Sequence, residues 1–444
     1  MIPITPDTTI FFLHIPKTAG SSLRLWLETH FDHMQICDIY GIHELCEIDD
    51  PAAYFNRFRL IRAHFGYSML RQFLDHDPIT LTVLRDPIDR FISQWGYLRA
   101  YPINIFTPPE RRQILEQVRT LSLAEFADAI ATDTQLSVQW QTTMIGSLNT
   151  HYSSVQPSQR SPTPDQFQLA QQRLQQFAWV GLTERFAESL ALLAYTFGWW
   201  PPHHIPRYNV TAQRPRVAEI SPQLREQISA ITRIDQQLYA IGSELFAQRY
   251  QAMCTDLLER FGRRDHARLE TPLTLDTLIP LLERHYIACL PQRGSRPVQG
   301  ATLFEHGFEG DGWYEVEYSA QGKAYRWSGI NRHAQIILPV IPATGYRVVI
   351  CVVHAIAIDT LHTLQIRVNH HILPHTVEAD ARGEHSLVLQ VPASLVPADR
   401  PLIQLQLVLP QVYSIETDHR TLGIAVHSVT IEPTETAGPE DMIA

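Results

Sequence analysis

The sequence predicts a three-layer α/β domain with a central, mostly parallel sheet over residues 1–265, followed by an antiparallel β-sandwich over residues 301–444. Three observations support this division. The chain has 444 residues, more than one compact core accommodates. Up to about residue 265, short apolar runs alternate with longer helical stretches, the mark of parallel strands with covering helices. Beyond about residue 302 the hydrophobic period changes to two, which gives strands with one buried and one wet face.

The elements follow in order. Ile10-Phe11-Phe12-Leu13 is a buried strand that feeds a helix, Leu81-Thr82-Val83-Leu84 is another, and a third strand is expected at 178–182. Leu190, Leu192, Leu193 and Phe197 line one side of a helix over 184–197, and Leu238, Ile241, Leu245 and Phe246 do so over 235–250. Between 266 and 300, a Pro, Gly and Arg mixture around one short helix near 274–289 reads as a linker. In the sandwich, Leu364, Ile366 and Val368 alternate with Gln365, Arg367 and Asn369. Ile403, Leu405, Leu407 and Leu409 alternate with Gln404, Gln406 and Val408.

Composition narrows the function. A formal net charge of −10 argues against a protein that coats nucleic acid. Cys37, Cys46, Cys254, Cys289 and Cys351 are too scattered for a disulfide framework or a zinc site. The adjacent pairs His203-His204 and His370-His371 lack ligand spacing, so no metal is expected. No basic leader precedes the first apolar run, which is far shorter than the ~20 residues of a membrane span, so a cytoplasmic protein without an integral membrane segment is expected. Of the 36 basic residues only Lys17 and Lys323 are lysine, and each invites a reason.

Around Lys17 the reason is chemical. IFFLHIPKTAGSSLRLWL at 10–27 is a strand, a tight loop Pro16-Lys17-Thr18-Ala19-Gly20-Ser21-Ser22, and an amphipathic helix. Loop amides and the open N–H groups of the first helical turn converge on one point, which makes a P-loop-like anion site. Small residues admit a phosphate, the hydroxyls of Thr18, Ser21 and Ser22 donate, and Lys17 adds a mobile point charge. The G-x-x-x-x-G-K-[ST] order of nucleoside triphosphatases is absent, and no Mg²⁺ ligands are evident. LTVLRDPIDRFISQWGYL at 81–98 repeats the strand, turn and helix. Asp86 is an N-cap and Pro87 a first helical residue, which places Arg85 at a strand's carboxyl end and Ser93 two turns into the helix, facing the same crevice. Arg90 reads as a solvated charge.

Together HIPKTAGSS and LRDPIDRFISQW resemble the two nucleotide signatures of the sulfotransferases that use 3′-phosphoadenosine 5′-phosphosulfate (PAPS), in the branch of the heparan sulfate 2-O-sulfotransferases and their bacterial relatives. VGLTERFAESLALL at 180–193 and RYNVTAQRP at 207–215 agree with this, and the resemblance covers roughly 10–250. It implies that the loop from Pro16 to Ser22 holds the 5′-phosphosulfate end, and that Arg85 and Ser93 hold the 3′-phosphate. Thr183 is implied at the nucleotide, with helix capping as its competing role, and Asn209 is implied as closing over it. His64 matches the position of a catalytic base, with Glu44 or His43 as replacements. The activity implied is in-line sulfuryl transfer from PAPS to a carbohydrate hydroxyl without a metal, Lys17 steadying the leaving phosphate.

Two other readings compete: a phosphotransferase with an atypical phosphate loop, and a non-catalytic glycan-binding protein in which the sandwich works. Segments 312–329 and 418–433 resemble β-sandwich modules of bacterial glycan-modifying enzymes, and Trp313, Tyr325 and Trp327 are candidates for an aromatic sugar-binding face, with core packing as the competing role. A separable sandwich predicts that nucleotide binding survives deletion of 300–444. Lys323 reads as a solvated turn charge. The sequence sets no oligomeric state.

Overall fold

Four short strands carry the first domain: β1 (Ile10–Leu13), β2 (Leu60–Ala63), β3 (Ile79–Leu84) and β4 (Trp179–Leu182). A computed structural model describes residues 1–39, 42–45, 47–103, 109–132, 139–148, 162–204, 214–262, 273–380, 383–415 and 418–434. All four strands are parallel, in the order β2-β1-β3-β4. β1 and β4 are buried throughout, which is why their sequences are continuous apolar runs rather than alternating ones. The chain passes from β1 to β2 on one side and then to β3 on the other. The crevice where strand order reverses therefore opens between β1 and β3 at their carboxyl ends. Among the described residues no helix is long and apolar enough to cross a membrane.

Besides a two-stranded ribbon of Tyr413–Ile415 with Asp418–Leu422, the described residues of 300–434 form two main antiparallel sheets, consistent with the sandwich expected. One is centred on Tyr346–Ala355 and Ile424–Pro433, the other on Leu402–Val408, and their inner faces share a core that includes Val348, Ile350, Ile366, Leu405 and Ile431. The helix expected near 274–289 runs from Leu275 to Cys289. One side of it, with Leu278, Leu281 and Leu282, is buried in the first domain's core, and Tyr286 packs with Ile337 and Leu402 of the sandwich.

The outer face of the second sheet departs from expectation. Gln335 and Gln404 alternate with apolar residues, yet both are buried. Gln404 donates to Gln335 at 3.0 Å, and Gln335 donates to the Asp311 carboxylate, which also accepts from the backbone N–H of His203 at 3.0 Å. A face that a period-two pattern assigns to water is thus covered by the first domain, and its polar atoms are paired as burial demands. His203 also meets Glu283 at 3.0 Å, and Arg400 of the sandwich holds the other carboxylate oxygen at 2.9 Å. His204 stacks on His333 with ring centroids 4.2 Å apart.

Nearer the crevice the seam reaches the helix Gly20–Leu27 that follows the phosphate loop. Leu25 packs with Tyr314, Tyr325 and Trp327. Trp313, Tyr325 and Trp327 are all buried and do not form an exposed sugar-binding face. Phe308 N–H donates to Thr29 O at 2.6 Å, and the buried Arg326 guanidinium donates to Phe304 O, Tyr314 O and Glu28 O at 2.9, 3.2 and 3.3 Å. Lys323, by contrast, pairs with Glu384 at a turn within the sandwich.

Removing residues 301–444 would strip the cover from Leu25 and from the Thr29 and Glu28 carbonyls. The truncated chain is expected to aggregate or lose cooperative melting, measured by calorimetry and gel filtration; a soluble, cooperatively melting 1–300 chain would make the sandwich separable. Acid tests the seam separately. Burial alone would push the Glu309 carboxyl up, but Arg293 at 2.6 Å and His30 at 3.1 Å hold it down at about 2. Because this value lies below the ordinary 4.5, the stabilisation is present above about pH 4.5 and lost as pH falls through about 2. It amounts to at most ~3 kcal/mol, and Glu309→Gln should flatten that part of the acid melting curve.

Candidate active site

The parallel register sets the site. Leu13 pairs with both Ala63 and Thr82, so His14 and His64 leave the sheet side by side, and Leu84 pairs with Leu182, so Arg85 and Thr183 leave it side by side two residues further along β3 and β4. The loop after β1 makes its turn with two non-glycine residues in the left-handed region, Lys17 at φ 70° and Ala19 at φ 63°. Each costs about 1–2 kcal/mol in an unconstrained chain, and the pair turns successive amides toward one point, the concave arrangement that binds anions. Thr18 is buried and its hydroxyl donates to Ile15 O at 2.8 Å, closing the loop from below. Pro16 and Ser21 lie at the half-exposed rim and Ser22 is buried in the first helical turn.

Gly20 is required by close approach. A Cβ there would lie 2.0 Å from the imidazole ring of His14. That buried ring lies against His64 with centroids 4.5 Å apart and the ring planes tilted by 40°, and His64 Nδ1 lies 2.6 Å from His14 O. Because a carbonyl only accepts, Nδ1 carries the hydrogen, and in the neutral ring the lone pair is on Nε2. Burial lowers the His64 pKa against the opposing effect of that hydrogen bond, so the ring is neutral at pH 7. The His64 tautomer is thus fixed from behind, with the acceptor nitrogen on the other side of the ring. Of the replacements considered, Glu44 is exposed on the short helix Ile42–Leu45, and the side chain of His43 lies outside the described residues.

Across the crevice, Arg85 is buried. Its Nη1 donates to Lys17 O at 2.8 Å, while Nε and Nη2 donate to Asp89 Oδ2 at 2.9 and 2.6 Å. Asp89 also pairs with Arg214, which sequence reasoning did not single out. Burial would raise the Asp89 pKa, but the hydrogen bond from Arg214 and the charge of Arg85 lower it, so it is ionised. Lys17 rests with Nζ 4.0 Å from the Tyr97 ring centroid. Burial, then the charges of Arg85 and Arg214, lower its pKa to about 8. Three cations therefore surround the loop mouth with one carboxylate among them.

Ser93 is buried in the helix Pro87–Ala100, whose N-cap is Asp86 as expected. Thr183 donates to Leu84 O at 3.1 Å, tying the ends of β3 and β4, and Glu184 accepts from Asp86 N–H and Tyr239 OH, both at 2.8 Å. Asn209 and Thr211 lie outside the described residues. Arg90 is a correction: it is fully buried, its pKa is lowered to about 10 by burial, and the charge of buried Asp235 opposes that shift. Among the described residues no group of three or more His, Cys, Asp or Glu side chains is placed to hold a metal.

Strand ends, a loop with two left-handed residues and a buried arginine opposite meet at one crevice, and residues 1–240 match the sulfotransferase family. The chain belongs to that family. It is similar to heparan-sulfate 6-O-sulfotransferase 2 of Gallus gallus, 25% identical over 286 residues, covering 56% of this chain and 70% of that protein. The Homo sapiens protein of the same name is 24% identical over 286 residues, with 46% of its length covered. Heparan-sulfate 6-O-sulfotransferase 3-B of Danio rerio is 24% identical over 282 residues, with 66% covered.

Gly20→Ala is expected to lower stability by about 1–3 kcal/mol, because the Cβ can be admitted only by displacing His14. The same variant should lose the melting-temperature rise produced by 3′-phosphoadenosine 5′-phosphate (PAP); an unchanged melt and an unchanged PAP response would refute the contact.

Proposed function

We propose that this chain transfers the sulfuryl group of PAPS to a hydroxyl of a carbohydrate. One observation carries the reading most: the left-handed loop bearing Lys17 and the acceptor nitrogen of His64 leave adjacent strands, held together by the His14 ring and carbonyl. The donor set fits PAPS. The loop amides, Lys17 and the hydroxyls of Ser21 and Ser22 suit the 5′-phosphosulfate end, and Arg85, with Ser93, suits the 3′-phosphate. PAPS supplies the activated sulfuryl group, and no metal enters the proposed reaction. The relatives are named for the 6-O position of heparan sulfate, whereas the signatures resemble the 2-O branch; both support a polysaccharide acceptor.

His64 Nε2 takes the acceptor hydroxyl's proton as the new S–O bond forms. The S–O bond to the phosphate breaks, its electron pair stays on the phosphate oxygen, and Lys17 moves off Tyr97 to meet that charge. A compact ammonium suits one developing oxyanion better than a guanidinium fork.

The free-enzyme profile of kcat/KM against pH should be a bell. Its acid limb lies below 6.5, where His64 becomes neutral as pH rises, and its alkaline limb lies near 8, where Lys17 loses its proton. Lys17→Arg should cost at least ~10-fold in kcat and abolish the alkaline limb, Lys17→Ala at least ~10²-fold, and His64→Ala roughly 10²–10⁴-fold with PAP affinity kept. Turnover of labelled PAPS on a panel of glycans reads all three; an arginine variant near wild-type rate would remove Lys17 from the leaving oxygen.

A further inference from the structure

Arg85 sits where β3 stops and the helix Pro87–Ala100 has not begun, so neither ladder nor helix fixes its peptide. The side chain of Gln141 does. Its Oε1 accepts from Arg85 N–H at 2.9 Å and its Nε2 donates to Arg85 O at 3.0 Å, the paired bonds that a neighbouring strand would have made. Gln141 is fully buried in the first turn of the helix Trp140–Ile145.

That helix is itself held by Asp235, in the first turn of the long helix Arg233–Phe261. Asp235 Oδ1 accepts from Thr142 N–H and Oγ1–H at 2.8 and 2.7 Å, and Oδ2 accepts from Gln141 N–H at 3.2 Å. The return bonds come from Gln139, whose Oε1 accepts from Ile234 and Asp235 N–H at 3.0 and 3.3 Å. Two helix N-termini therefore cap one another reciprocally, with the buried positive charge of Arg90 acting on Asp235. Gln139, Gln141, Thr142 and Asp235 are all buried, and the Gln141 amide joins them to the Arg85 peptide.

We infer that Gln141, anchored by Asp235, is a positioning residue that fixes Arg85 and thereby sets the preference for a nucleotide carrying a 3′-phosphate. The inference rests on the PAPS reading above and names the group that makes Arg85 selective. Fixing the Arg85 peptide fixes the root of its guanidinium, and bidentate recognition of a phosphate depends on that direction more than on charge.

The test measures PAP and adenosine 5′-monophosphate (AMP) binding by calorimetry on the full chain, for wild type, Gln141→Leu and Gln141→Glu. Wild type should prefer PAP. Gln141→Leu should weaken PAP about tenfold while AMP affinity stays within about twofold, collapsing the ratio. Gln141→Glu keeps an acceptor for Arg85 N–H and loses the donor, so it should fall between the two. It also serves if the leucine variant does not fold. A merely structural role moves PAP and AMP together, so an unchanged PAP/AMP ratio in the folded variant overturns the positioning role alone. A wild-type chain with no preference for PAP over AMP overturns the nucleotide reading and this inference with it.

Discussion

The contact between the His14 ring and the α-carbon of Gly20 is the constraint on which the site's arrangement depends. It brings the loop helix down onto the end of β1 more closely than any side chain at position 20 would allow. The same histidine presents its carbonyl to His64 and packs its ring against the tilted His64 ring. Loop, His64 and central strand are therefore located by one residue rather than by three independent fits. The strained φ values of Lys17 and Ala19 are tolerated because the elements on either side of them are fixed this way.

Beyond the site, the fold is held by a second constraint: the outside of the loop helix is not solvent but sandwich. Each buried charged group along that seam has two or three partners. Glu309 meets Arg293 and His30, Glu283 meets His203 and Arg400, and Arg326 meets three backbone carbonyls. Buried ion pairs add little net stability over apolar packing, yet breaking one partner is costly, so such a seam specifies a single docking of the two sheets. Specific docking suits a helix whose first turn is expected to face an anion.

Much of this was legible in the sequence, and the parts that were not share a cause. The continuous apolar run at Ile10–Leu13 and the Asp86-Pro87 helix start report local rules, so the loop, Arg85 and the strand ends followed from them. Arg90 read as solvated because its partner Asp235 belongs to a helix far along the chain, and no local spacing encodes that meeting. Gln404 obeyed period two faithfully, and the pattern named a polar face without saying what would cover it. His203 and His204 lacked metal spacing, while their acidic neighbours Glu283 and Asp311 lie in other elements. Gln141 carries no motif, because an amide that substitutes for a strand is recognisable only once the missing strand is seen.

Asp89 gives the site an anion of its own. Two guanidinium groups, Arg85 and Arg214, share its carboxylate, so neither waits in the crevice as an uncompensated charge. Filling the site is then an exchange of one anion for another at an already assembled grip, not the neutralisation of a bare positive pocket. A chain of net charge −10 can in this way keep a buried cationic cluster without drawing every passing polyanion to it.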